Sequence, residues 1–190
     1  MKPIGLDEIT DIAKYEVERE TYRPKVMAIK DRRRVRVGDH LTFLFENRDT
    51  VRYQIQEMMR IERIVKPHDI EHEVETYNEQ IPGPNQLCAS LLIEYETPEL
   101  RNIWLTKLLG LEHHVWMEVK GLGRAKATFD DRQISTDRIS SVQYIRFDFT
   151  PEQTTGFGQG AAVVVDHPEY SFTHPLSADQ LMELKADFSS

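Results

Sequence analysis

The chain has 190 residues, with 24 Lys and Arg against 32 Asp and Glu, for a formal net charge of −8. Apolar residues make up 39 % and charged residues 29 %, too apolar a mixture for a disordered chain. One cysteine, Cys88, excludes a disulfide scaffold and any site built from two thiolates.

No apolar run approaches the roughly 18 residues of a membrane span. The first twenty residues are acidic and helix-like, without the apolar centre and small-residue cleavage site of a signal peptide. These features predict a soluble cytoplasmic globular protein. Without internal repeats, low-complexity tracts or Gly/Ser linkers, a single domain over 1–190 is the simplest organisation.

At the N-terminus, Ile9, Ile12, Ala13 and Val17 recur at helical spacing, and Pro24 suits the first turn of a second helix reaching Arg33. Val35–Val37 and His40–Phe45 flank the turn signal Gly38-Asp39 and predict a tight hairpin. Asp49 or Thr50 caps the next helix, whose stripe is Val51, Ile55, Met58 and Val65. Pro67 opens another, with Ile70, Val74, Tyr77 and Ile81 on one face, closed by Pro82-Gly83-Pro84. Leu87–Tyr95 is nearly continuously apolar and predicts a central strand.

Thr97-Pro98-Glu99 is a helix start, followed by the face Leu100, Ile103, Trp104, Lys107 and Leu108. Beyond Gly110 the pattern turns β. Val115, Met117 and Val119 alternate with Trp116, Glu118 and Lys120, then come strands over 124–129, 142–149, 161–165 and 170–174. The glycines of 156–160 predict a flexible loop. Ser177-Ala178-Asp179-Gln180 is a capping box opening a last helix. Several connections are too short for parallel crossovers. The expectation is an α+β fold: a mostly antiparallel sheet with N-terminal, central and C-terminal helices.

The sequence lacks GxxxxGK[ST], GxSxG and HExxH, and the glycines at 156–160 lead into a strand, the wrong context for dinucleotide binding. Cys88 sits in an apolar strand and reads as a buried, inert thiol. Four constellations remain. His68, His72 and Glu75 share one helix face with Glu79. Histidines four apart can bite one divalent metal such as zinc, iron or manganese, although the face lies opposite the apolar stripe and reads first as a solvated one. Glu46, Arg48, Gln56, Glu57, Arg60 and Arg63 form a polar stretch. It suits an ion-pair network, a partner or homodimer interface, or an anion site using arginine forks. Asp166-His167-Pro168-Glu169-Tyr170 offers an Asp–His pair, but its residue types are also those of a plain turn. The basic run Lys30–Arg36 can contact phosphates. The chain's acidity and the absence of interleaved aromatics speak against a nucleic-acid partner and favour a solvated helix end. His113-His114 cannot chelate jointly if both lie on a strand.

Three segments carry a family likeness together: 37–64, with its Phe-Glu-x-Arg, Tyr-Gln-x-Gln-Glu-Met and Arg-Ile-Glu-Arg stretches; Tyr77-Asn78 with Ile81-Pro82; and Asp166-His167-Pro168 with Tyr170. Over essentially its whole length the chain resembles a bacterial family filed as domain of unknown function 3501. The resemblance implies a stand-alone cytoplasmic protein. It also implies genes neighbouring a rubrerythrin-like di-iron protein and an iron–sulfur protein related to heterodisulfide reductase subunits. It assigns no reaction. The resulting expectation is an accessory protein of oxidative-stress defence or electron transfer, with a di-iron or iron–sulfur partner. The alternative is a metal- or small-anion-binding protein, or an enzyme of unassigned reaction, using His68/His72 or Glu57/Arg60/Arg63.

Overall fold

The structure is a computed structural model and describes residues 1–189. Eight strands form one antiparallel sheet in the order β1-β2-β3-β6-β5-β4-β7-β8. They are β1 (Arg34–Val37), β2 (Leu41–Glu46), β3 (Gln86–Ile93), β4 (Val115–Val119), β5 (Gly123–Phe129), β6 (Val142–Asp148), β7 (Ala161–His167) and β8 (Tyr170–Pro175). The helices are α1 (Ile12–Arg32), α2 (Arg48–Glu62), α3 (Pro67–Asn78), α4 (Pro98–Lys107), α5 (Pro151–Gly156) and α6 (Ala178–Lys185). The α+β expectation therefore holds, and the antiparallel pairing extends through every ladder.

The sheet curls until its edges β1 and β8 lie side by side, a nearly closed barrel. No ladder joins them. Instead the Tyr170 hydroxyl donates to Val37 O at 2.6 Å and accepts from His40 N–H at 3.0 Å, and Gln180 Nε2 donates to Arg34 O at 2.8 Å. Side chains thus satisfy backbone groups that an open edge leaves unpaired. Gly38, at φ 64°, makes the β1–β2 turn, and a Cβ there would strike the Tyr170 hydroxyl and the Phe172 ring.

Alternation fills the barrel. Val35, Val37, Phe43, Leu91, Met117, Phe147 and Val163 are among its fully buried residues. Leu105, Leu108 and Leu111 join this core from α4 and the turn after it, and Phe157, Leu184 and Phe188 join it from the C-terminal elements. β2 is buried on both faces, so its outward row lies under helices. A second core ties α2 and α3 to the N-terminus through Ile4, Val51, Ile55, Met59 and Val74.

Several expectations are corrected. Asn47, not Asp49 or Thr50, caps α2, and Val65 lies beyond the helix and is exposed. α1 is one helix running through Pro24, not two. Its buried residues are Tyr15 and Val26, whereas Val17 is 78 % exposed, so the apolar repeat at Ile9–Val17 does not mark the packed face. On α4 the buried side chain is Leu105, while Leu100 and Ile103 remain exposed. The segment 156–160 is no flexible loop. Thr150 caps α5 with a reciprocal capping box, and a 3-10 turn over Phe157–Gln159 buries Phe157 against Phe149 and Phe188.

Candidate functional site

Glu46 at the end of β2 and the polar residues of α2 are placed in different environments. Glu46 is buried beneath the helix, accepting from Ser90 Oγ at 2.7 Å and from the Thr50 hydroxyl. Arg48 pairs with Glu8 and donates to Lys2 O at 3.1 Å, tying down the N-terminal segment. Gln56 is fully buried and clamps the Thr10 backbone from both sides, accepting from Thr10 N–H at 2.7 Å and donating to Thr10 O at 3.0 Å.

Glu57 is the hub between α1 and α2. It accepts two bonds from Arg19, at 2.7 and 3.0 Å, one from the Tyr15 hydroxyl at 2.8 Å and one from Arg60 at 3.4 Å. Burial works to raise its carboxyl, but the Arg19 and Tyr15 bonds outweigh burial and hold it down at about 2. Arg63 is an exposed helix cap at φ 56°. These residues mostly hold the helices to one another and to the sheet; they do not line one common cavity.

His68, His72 and Glu75 are all exposed on α3, and no group of three or more His, Cys, Asp or Glu among the described residues is arranged to hold a metal ion. The basic run is dispersed. Arg33 is 1 % exposed and donates to Phe45 O, Glu46 O, Glu183 and Asp187, Arg32 pairs with Glu183, and Lys30 lies 5.1 Å over the Tyr53 ring. Burial pushes the Cys88 thiol up to about 12, so it stays protonated and unreactive.

A different surface stands out on the flank formed by β4, β5 and β7. Val115, Met117 and Val119 of β4 enter the barrel, so Trp116 and Glu118 point outward and are half-exposed. The register sets Trp116 between Lys126 and Val164, and Glu118 between Arg124 and Ala162. Arg124 Nε donates to Glu118 at 2.7 Å and its Nη1 to Asp166 at 3.4 Å. The Trp116 indole N–H donates to Asp166 Oδ1 at 3.1 Å.

His114 Nδ1 lies 3.1 Å from the same Asp166 oxygen. Slight desolvation works to raise the Asp166 carboxyl, but the Trp116 and His114 bonds, with Arg124 nearby, hold it below the usual carboxylate range. An ionised carboxylate only accepts, so the proton on this contact belongs to His114 Nδ1.

Asp166 and His167 do not pair, because successive strand residues face opposite ways, and the segment makes the turn between β7 and β8 that its residue types suggest. His167 is buried. Its Nδ1 accepts from Glu169 N–H at 3.2 Å, leaving Nε2 to donate to Leu109 O at 3.1 Å. His167 therefore pins the β7–β8 turn. One signal of the open face was legible in the chain: a tryptophan on the polar side of the alternation 115–120.

The family model for Protein of unknown function (DUF3501) matches residues 3–188. Among solved structures, a novel protein of unknown function from Burkholderia pseudomallei is similar, with a TM-score of 0.92 and 29 % identity over 98 % of this chain and 99 % of that one. No curated protein matches. With nearly its whole length matched, the chain belongs to the DUF3501 family, whose members are proteins of unknown function.

Proposed function

We propose that this chain is a non-catalytic interaction protein that docks through the Trp116 face onto a redox-metal protein, of the di-iron or iron–sulfur kind, in the bacterial cytoplasm. The observation that carries the reading is the open face itself. A half-exposed tryptophan sits beside the buried Val164, ringed by Arg124, Lys126, Glu118 and Asp166. An aromatic anchor inside a polar, charged rim is the arrangement in which interface energy concentrates.

Arg124 already spans Glu118 and Asp166, whereas Lys126, 5.9 Å over the Trp116 ring and 3.5 Å from His113 Nδ1, has no carboxylate partner among the described residues. The face therefore suits a partner with an acidic rim around an apolar spot. The redox setting comes from the gene neighbourhood that the family resemblance implies.

The test is capture of tagged protein from its native cell, with iron analysis of what is retained. An iron-containing protein should co-purify with the wild type and fall by about tenfold or more with Trp116→Ala. Unfolding of that variant should change little, because the ring lies on an outward face. Retention of no iron protein, or undiminished retention by Trp116→Ala, would sink the reading. Capture of only a second copy of this chain would assign the face to a homodimer and equally remove the redox partner.

A further inference from the structure

A cleft of about 520 Å3 lies between α4 and the segment that joins β5 to β6. Its polar lining includes Arg101 and Asn102 from α4, with Arg132, Arg138, Ser140 and Ser141 from the segment. No Asp or Glu lines it, although the chain as a whole carries a net charge of −8.

The three guanidinium groups differ in their partners. Arg132 is paired with Asp130 at 2.8 Å and with Glu79 at 2.6 Å. Arg101 donates to Tyr95 O at 3.3 Å, and Arg138 to Asn102 Oδ1 at 3.1 Å. Both of these acceptors are neutral, and among the described residues neither Arg101 nor Arg138 forms an ion pair. The carboxylate next to Arg138 in sequence, Asp137, accepts from the Ser135 hydroxyl at 2.6 Å and makes no direct ion pair with Arg138, although the nearby guanidinium adds to that hydroxyl in holding its carboxyl down.

The walls are fixed in advance. Ile139 N–H donates to Leu105 O at 3.1 Å, fastening the segment to α4, and Ile134 bridges Ile139 across its base. The buried Gln143 amide donates to Gln133 O at 3.3 Å and to Ser140 O at 2.9 Å. A ligand entering here meets formed walls, which lowers the ordering cost of binding.

We propose that this cleft binds a compact metabolite-sized polyanion, bearing phosphoryl or carboxylate groups, through the guanidinium forks of Arg101 and Arg138. Both groups present paired oxygens that match a planar fork, and the volume lies within the range of small-molecule sites. The proposal is independent of the docking face, none of whose residues line the cleft.

Calorimetric titration of the full chain with inorganic pyrophosphate and, separately, with citrate tests it. At least one should bind saturably. Binding should weaken by about tenfold or more in Arg138→Gln, the loss expected for one charged hydrogen-bonding partner, and stay unchanged in Arg124→Gln. The Arg138 side chain is exposed and donates to Asn102, while its backbone bonds to Ser135 do not depend on the side chain, so Arg138→Gln should fold; its unfolding curve checks this, and Arg101→Gln provides a second route to the same loss. Preference for pyrophosphate would assign a phosphoryl ligand, and preference for citrate a carboxylate one. Absence of saturable binding at millimolar concentration overturns the proposal. So does wild-type binding by both Arg101→Gln and Arg138→Gln, or equal weakening by Arg124→Gln.

Discussion

Glu57 carries the clearest consequence of a single side chain. Its carboxyl is held at about 2 by Arg19 and Tyr15 against the opposing effect of burial, below the ordinary value of 4.5. A depressed carboxylate contributes stability that is fully present above its unfolded value. That stability fades as pH falls through the folded one. The window therefore runs from about pH 4.5 down to about 2, and the full contribution is on the order of 3 kcal/mol. Denaturant unfolding across this window should show Glu57→Gln less stable than wild type at pH 7, with the difference shrinking toward pH 2. A constant difference would mean that packing, not charge, is what the variant removes. Arg19 and Tyr15 lie 38 and 42 residues away in sequence, so nothing local in the chain announces this hub.

Among the elements, α1 departs furthest from its local sequence. A proline in a helix interior lacks the N–H that would bond back one turn and crowds the carbonyl there. Pro24 nevertheless sits mid-helix because both halves of α1 are clamped from outside. Before Pro24, Arg19 and Tyr15 bind Glu57 and Tyr22 packs 6.1 Å from Tyr53; after it, Val26 is buried, Lys30 lies 5.1 Å over the Tyr53 ring and Arg32 pairs with Glu183. Tertiary contacts thus override a local stop signal. Pro24 is exposed, so replacing it by alanine restores a backbone bond without disturbing a packed contact. Pro24→Ala should stabilise the protein by about 1–3 kcal/mol in thermal unfolding. A lower midpoint would show that the proline ring itself is needed at this position. The segment 150–160 is the converse case. Its capping box Thr150–Gln153 was present in the chain, but the glycines after it masked the helix.

For the molecule as a whole, the seam between β1 and β8 decides whether the sheet is a barrel or an open layer. Tyr170 spans it, bonding Val37 O and His40 N–H, and its hydroxyl is raised by burial despite those backbone bonds. Tyr170→Phe keeps the ring and removes both bonds, leaving buried backbone groups unpaired. The cost should be about 1–3 kcal/mol. Hydrogen exchange should then quicken at His40 and along the β1–β2 hairpin, while the central strands β3 and β6 stay protected. Uniform acceleration across all strands would show instead that the seam unfolds only with the entire barrel. Elsewhere on the surface, one flank is held by α1–α3 and the opposite one presents Trp116. This asymmetry sets where a partner can reach the sheet.

The strand count, the antiparallel pairing, the hairpin at Gly38 and the caps Thr97 and Ser177 follow from the sequence alone. Period-2 alternation, turn residues and capping side chains act within a few residues of one another. The family likeness is equally a property of the chain. The use of the polar residues is decided only by the tertiary structure. Glu57, Gln56 and Arg33 look alike from the sequence as candidates for binding, and the fold commits them to holding helices together. Trp116, His114, Arg124 and Asp166 come from separated strands and meet only through the ladder register, and the Arg101–Arg138 cleft forms only when α4 closes against the 130–141 segment. Burial, charge pairing and cross-strand neighbours depend on contacts between distant residues, which the local chemistry of the chain does not specify.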